Sequence, residues 1–317
     1  MMAKLRGVQG QDVGSVTQQR CRAVDSGKAL RRSGTKRQGE WRAKFRNTLK
    51  SVYQLVDNPR GGSVPVFILG CGRSGTNMLV RCCERTWALQ IYNETHPAAF
   101  HHWRLRDWPV IEELVKRSHA RAVVFKPLND TYRATHILDR FPQGRIVFQF
   151  RHYRDVVRSI IKGPFGGRKA LIAHWLETDF AEFSSRPPSR QMKQMLSRLY
   201  RDDLNEESGS ALYWLCQNAF LFDQNLHDDE RVHLFNYESF VQAPEREWQR
   251  LSRFLGVPAS KSAWRRVSTR SLGKGGKPGL DPEVERACEA LWRRLAACAQ
   301  QRGSLLLGGE QWSLEFS

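Results

Sequence analysis

The first strong pattern in the chain is Val64-Pro65-Val66-Phe67-Ile68-Leu69, a short apolar run closed by Gly70. A run of this length without polar alternation is the mark of a strand buried on both faces. Comparable runs recur at Leu89-Gln90-Ile91-Tyr92, Ala122-Val123-Val124-Phe125, Ile146-Val147-Phe148-Gln149-Phe150 and Val232-His233-Leu234-Phe235. Helical spacing separates them, over 109–118, 130–140, 155–161 and 244–255. Strands alternating with helices predict a three-layer α/β/α fold around a parallel sheet of about five strands. Between the fourth and fifth runs, residues 162–226 read as mainly helical, with polar breaks at 184–190 and 202–209. This stretch is expected to be a helical cap inserted over the site. One more helix is expected over 282–302, opened by Asp281 as N-cap and Pro282 at the first helical position.

Upstream of the first strand, Trp41, Phe45, Leu49, Val52 or Tyr53, and Val56 recur at helical spacing, with Arg42, Lys44, Arg46 and Lys50 between them. Such a helix packs its apolar stripe on the domain's own core, the commoner fate, or lies on a membrane surface. Asn58-Pro59-Arg60-Gly61-Gly62 ends it. The expected organisation is therefore a leader over 1–40, a helix and linker over 41–62, and one domain over 63–317.

Charge sharpens this division. The net charge is +19, yet residues 1–50 alone carry thirteen Lys/Arg against Asp12, Asp25 and Glu40. The polar, Gly/Gln/Ser-rich leader reads as a disordered basic tail, either simply solvated or open to peripheral contact with an anionic membrane or another polyanion. No window approaches 18 uncharged apolar residues, so no membrane span is expected. The N-terminus has no apolar segment of the kind a secretory signal needs. The seven Cys show no CxxC pair and no ligand spacing, which reads as reduced structural thiols in a cytoplasmic protein and no metal site. No DNA- or RNA-binding module is present, so no specific nucleic-acid partner is expected. Nothing in the sequence reports the oligomeric state.

The chemistry starts where the first strand ends. Gly70-Cys71-Gly72-Arg73-Ser74-Gly75-Thr76-Asn77 joins that strand to a predicted helix at 78–86. A glycine-bearing turn at a helix N-terminus turns successive N–H groups toward an anion. The spacing Gly70-x4-Gly75 is that of a nucleotide P-loop, but a Walker loop continues with Lys and Ser/Thr. Here Thr76 and Asn77 stand in those places and the cation has moved forward to Arg73. A magnesium–ATP site is not expected; a phosphate cradle formed by Gly72, Arg73, Ser74, Gly75, Thr76 and Asn77 is.

The segment from Phe67 to Thr76 resembles the 5′-phosphosulfate loop of sulfotransferases that use 3′-phosphoadenosine 5′-phosphosulfate (PAPS). Its Arg-Ser-Gly-Thr form is similar to that of tyrosylprotein and many bacterial sulfotransferases. The resemblance implies a P-loop NTPase-like fold, PAPS as co-substrate and no metal. A second element supports it independently. Ile146–Phe150 leads into Arg151-His152-Tyr153-Arg154-Asp155, with Ser159 eight residues after Arg151. This resembles the family's 3′-phosphate element, which assigns Arg151 and Ser159 to that phosphate. Arginine at the carboxyl end of a parallel strand is well placed for it, and Asp155 is expected to cap the helix that carries Ser159. Asn236-Tyr237-Glu238-Ser239-Phe240 resembles a third family segment, in which Tyr237 contacts the donor or packs; packing is the favoured reading. Lys274 and Lys277, in a glycine-rich cationic loop, resemble the loop that closes on the 3′-phosphate.

The same resemblance supplies a base. The third strand runs into Lys126-Pro127-Leu128-Asn129, where cytosolic members carry a histidine. A lysine there is similar to the tyrosylprotein arrangement, whose base is a glutamate after the second strand. Glu94 lies 21 residues after Arg73, matching that pattern. The resemblance thus makes Glu94 the base, with Lys126 and Arg73 as charge stabilisers. His96 is the rival base; His101 and His102 are expected in a helix. Two other classes remain open, a P-loop phosphotransferase and a non-catalytic polyanion binder. The acceptor is expected to be a hydroxyl on a small molecule, glycolipid or saccharide rather than a protein tyrosine.

Overall fold

The computed structural model describes residues 47–164, 166–269 and 277–307, with side chains to 303. The chain divides into two units, Met1–Leu49 and Lys50–Ser317, and the second holds the sheet. Lys274 lies outside the described residues.

Five parallel strands form that sheet: β1 (Val64–Gly70), β2 (Leu89–Tyr92), β5 (Ala122–Phe125), β6 (Arg145–Phe150) and β7 (Val232–Asn236). Their order is β2-β5-β1-β6-β7, so the phosphate-loop strand is central. Each strand coincides with one of the apolar runs. Along β1 the side chains alternate between layers, Phe67 and Leu69 entering one buried cluster and Val66 and Ile68 the other. Period-two alternation inside an all-apolar strand is how a doubly covered sheet feeds two cores at once.

The helices are α1 (47–57), α2 (Thr76–Glu84), α3 (Trp108–Lys116), α4 (Ala134–Arg140), α5 (Tyr153–Ile161), α6 (Lys169–Glu177), α7 (Arg190–Leu199), α8 (Glu206–Asp223), α9 (Tyr237–Gln242), α10 (Pro244–Leu255), α11 (Lys261–Trp264) and α12 (Pro282–Leu307). The stretch between β6 and β7 is helical as expected, with α6, α7 and α8 following α5. Most of its aromatic residues are core: Trp175, Phe180, Trp214 and Phe220 are buried. Asp281 caps α12, its Oδ1 accepting from Glu283 N at 2.9 Å, with Pro282 opening the helix.

Three expectations are corrected. The helix predicted over 130–140 is two elements, a 3₁₀ turn at Leu128–Arg133 and then α4, with Asp130 off helical geometry (φ −108°, ψ 15°). His101 is in no helix: Phe100–His101 (β3) and Arg104–Leu105 (β4) form a small antiparallel hairpin, with His102 and Trp103 as its turn. And α1 buries its apolar stripe only at Tyr53, which packs on the core beside Trp87, while Leu49, Val52 and Val56 are exposed; Trp41 and Phe45 lie outside the described residues. Gln54 is buried while Val56 is 76% exposed and Val52 is exposed beside it. The polar face wins because it satisfies main-chain carbonyls of the strand-bearing unit. Gln54 Nε2 donates to Trp87 O (2.8 Å) and Leu89 O (3.3 Å), Asn58 Nδ2 donates to Ala120 O (3.2 Å), and Arg121 holds Asp57 through two bonds of 2.6 and 2.9 Å. An unmet buried carbonyl costs about 1–3 kcal/mol, comparable to burying one aliphatic side chain.

Candidate active site

The loop at 70–77, the expected phosphate cradle, owes its shape to two glycines. At Gly70 φ is +121°, and a Cβ would fall 2.1 Å from Gln149 O, so only glycine lets β1 pass β6 this closely. Gly75, at φ +88°, precedes α2 with no side chain capping the helix. The first N–H groups of α2 have no carbonyl within the helix to bind. They face a cavity of about 480 Å³ at the carboxyl end of the sheet. Arg73 holds a left-handed backbone, φ 69°, which is uncommon outside glycine.

Both predicted phosphate elements line this one cavity. Gly72, Arg73, Gly75, Thr76 and Asn77 come from the first loop and Arg151 and Ser159 from the second, and Glu94 and Lys126, which follow β2 and β5 on the other side of β1, line it as well. Arg73 Nε donates to Ser159 Oγ at 3.0 Å, a direct bond from one element to the other. Lys126 is 1% exposed, and its Nζ donates to Glu94 Oε1 at 2.9 Å and to Asn77 Oδ1 at 2.6 Å. A buried ammonium is tolerable only with such partners. Arg151 leaves β6 with its Nη2 on Asp155 Oδ2 at 2.8 Å and its Nε 3.9 Å from Glu238 Oε1. Burial raises the Glu238 carboxyl above its usual range, against the pull of His152 N–H and Arg151. Asp155 therefore does not cap α5. His152 does, its Nδ1 accepting from Arg154 N at 3.3 Å; the acid is drawn instead to the guanidinium that must be held in place.

Other predicted residues stand apart from the cavity wall. Ser74 is buried, and its carbonyl accepts from Gln149 Nε2 at 2.8 Å. Tyr237 packs as expected: a Cβ on Gly75 would lie 2.3 Å from its ring, and Arg151 Cζ sits 4.3 Å from the ring centre. Lys277 is exposed and reaches Glu285 at 3.7 Å. His96 turns away, edge-on to the Tyr92 ring at 4.9 Å, its Nδ1 accepting from Ala98 N.

Sequence reasoning did not find Trp103, Leu128, Asn129, Ile160 and Arg168 on the wall, nor Tyr213 as a site residue. Arg168 follows Gly166-Gly167, a cationic glycine segment whose composition was a usable signal. Its Cζ lies 5.6 Å from the Tyr213 ring centre. Among the described residues, no group of three or more His, Cys, Asp or Glu converges to hold a metal, and no helix is long and apolar enough to cross a membrane.

No protein-family profile matches the chain, and no curated protein does. Among solved structures, the chain is similar to a sulfotransferase from Alicyclobacillus acidocaldarius, at 16% identity over 76% of this chain and 96% of that one, with a TM-score of 0.44. It is similar to the sulfotransferase domain of the Synechococcus PCC 7002 olefin synthase at 15% identity over 77% and 96%, TM-score 0.41. Mouse sulfotransferase SULT7A1 complexed with PAP aligns at 15% identity over 80% and 95%, TM-score 0.42. Likeness at this level assigns neither activity nor substrate.

Proposed function

We propose that this chain is a cytoplasmic sulfotransferase that moves a sulfuryl group from PAPS to an acceptor hydroxyl. One observation carries the reading: a single cavity is lined by an uncapped helix N-terminus at 75–77, by Arg151 and Ser159 beyond β6 on one side of it, and by the Glu94 carboxylate and Lys126 ammonium beyond β2 and β5 on the other. Two anion-binding elements lining one cleft fit a nucleotide phosphorylated at both 5′ and 3′ positions. PAPS, when bound, supplies the activated sulfuryl group.

The residues then have separate tasks. Glu94 takes the proton from the acceptor hydroxyl as its oxygen bonds to sulfur. The bond from sulfur to the 5′-phosphate oxygen breaks, and its electron pair leaves with the bisphosphate product. Lys126 and Arg73 offset the negative charge on the oxygens that gain it. Arg151 and Ser159 fix the 3′-phosphate, and the loop at 72–77 orients the 5′ end. A magnesium-dependent phosphotransferase fits less well. The position where a Walker loop carries its metal-binding hydroxyl is Asn77, and its oxygen is taken by Lys126. The basic leader is proposed to serve contact with an anionic surface.

Calorimetry with adenosine 3′,5′-bisphosphate in EDTA, alongside ATP with magnesium, tests the reading. Binding of the bisphosphate without metal, and in preference to ATP, is expected. Preference for magnesium–ATP would replace this proposal with the phosphotransferase.

A further inference from the structure

The turn of the β3–β4 hairpin breaks a local rule at the cavity. His101 pairs with Arg104, so His102 and Trp103 alone make the connection. Both hold left-handed backbone, φ 48° and 60°. Two-residue hairpins of this type ordinarily carry Asn-Gly, because Cβ atoms are crowded there. Here a histidine and a tryptophan occupy both positions, and Trp103 is 54% exposed on the cavity wall. A large apolar ring left in solvent by an unfavourable turn is a feature that stability alone does not favour.

The hairpin is also firmly tied down. Asp130, wholly buried, accepts from Leu105 N at 2.9 Å and lies 3.6 Å from Arg104. Arg104 donates further to Asn129 O at 3.0 Å and to Glu182 Oε1 at 3.1 Å. Burial raises the Asp130 carboxyl while the main chain and the arginines pull it down. The network sets β4 one residue from Trp103, so the ring is delivered to the rim on a rigid support.

We infer that Trp103 is the platform for the acceptor, and that the acceptor presents a pyranose ring; this rests on the sulfotransferase reading above. The ring is 54% exposed, and the same cavity is lined by the polar Glu94, Asn129 and Arg168 together with Leu128, Ile160 and Tyr213. A pyranose offers one apolar C–H face to stack on an aromatic ring and hydroxyls that need polar partners on its other sides. Trp103 sets specificity and takes no part in bond making.

The test measures transfer of labelled sulfuryl from PAPS to a panel of neutral and acidic tetrasaccharides, and to 4-nitrophenol and 2-naphthol. The purified full chain is compared with Trp103→Ala and Trp103→Phe, and with Trp87→Ala as an exposed control remote from the cavity. Expected are transfer to a saccharide in preference to the phenols and a KM for it raised roughly five- to fiftyfold in Trp103→Ala. In that variant kcat should stay within a few-fold and bisphosphate affinity unchanged, with partial rescue in Trp103→Phe and no effect of Trp87→Ala. Preference for the phenols, no transfer to any saccharide, or an unchanged saccharide KM in Trp103→Ala overturns the inference. Bisphosphate binding in each protein separates these failures from failure of the sulfotransferase reading, which would abolish that binding in the wild type as well.

Discussion

Replacing Glu94 by glutamine separates chemistry from binding, because the amide keeps the shape and loses the base. The side chain meets Lys126 Nζ at 2.9 Å, and Lys126 keeps its second partner, Asn77 Oδ1 at 2.6 Å. The amide oxygen introduced by Glu94→Gln can still accept from Lys126, so the ammonium is not stranded. What is lost is one ion pair whose acidic partner is 27% exposed on its side chain. Breaking a fully buried pair costs about 3–5 kcal/mol; with a retained hydrogen bond and partial exposure, about 1 kcal/mol is the reasonable scale. For a domain of this size that lowers Tm by about 2–4 °C. The rate should fall much further, by about 10²- to 10⁴-fold in kcat, the usual worth of a positioned base. The assay is steady-state transfer from PAPS, paired with calorimetry of adenosine 3′,5′-bisphosphate and a thermal melt. Affinity for the bisphosphate should stay within about threefold, since Glu94 meets no phosphate in this reading. A Glu94→Gln enzyme with near-normal kcat would remove Glu94 from the mechanism, and parallel losses of rate and bisphosphate affinity would make it a structural residue.

Arg151→Ala should weaken bisphosphate binding by about 10- to 150-fold, the loss of charge-assisted hydrogen bonds worth about 1.5–3 kcal/mol, while adenosine 5′-phosphate binding changes little; equal losses for both ligands in a titration would contradict its assignment to the 3′ end. Gly75→Ala combines a left-handed φ of 88° with a clash 2.3 Å from the Tyr237 ring, so denaturant melts should show about 2–4 kcal/mol lost. Adding Tyr237→Ala should recover part of that loss in a double-mutant cycle; strict additivity would show that the ring is not the obstacle. His233 is held neutral by burial, its pKa pushed down to about 3 from 6.5. The unfolded chain takes up a proton below pH 6.5 and the folded chain does not, so stability is full above pH 6.5 and falls as pH drops toward 3. This amounts to about 2–3 kcal/mol by pH 4.5, and His233→Phe should flatten the slope of stability against pH by one proton; an unchanged slope would place the acid sensitivity elsewhere.

The strands were legible because a sheet covered on both faces demands uninterrupted apolar runs, and each of the five runs became a strand. The glycine loop and the position of Arg151 were legible because backbone chemistry constrains them: Gly70 and Gly75 need backbone freedom, and Arg151 directly follows the end of a strand. Glu94 and Lys126 were found through the family resemblance, Lys126 by its place after the third strand and Glu94 by its distance from Arg73, and all three line the cavity. The misses share a cause, namely competition decided by tertiary contacts. The apolar spacing of α1 was open to packing on the core or lying on a membrane surface; Tyr53 packs on the core, but carbonyls of Trp87, Leu89 and Ala120 draw Gln54 and Asn58 in beside it and leave Val52 and Val56 out. Asp155 has the composition of a cap, yet Arg151 claims it. The hairpin at 100–105 was hidden because its turn lacks the glycine and asparagine by which such turns are recognised. Trp103, one of ten tryptophans, carried no local sign that it would be held at the rim.

The central claim is that one cleft grips both ends of a bisphosphorylated nucleoside, and a crystal structure of the chain soaked with adenosine 3′,5′-bisphosphate tests it most directly. The 5′-phosphate is predicted on the main-chain N–H groups at 75–77, and the 3′-phosphate within hydrogen-bonding distance of Arg151 and Ser159. A nucleotide bound elsewhere, or one whose 3′-phosphate points into solvent away from Arg151, contradicts the account.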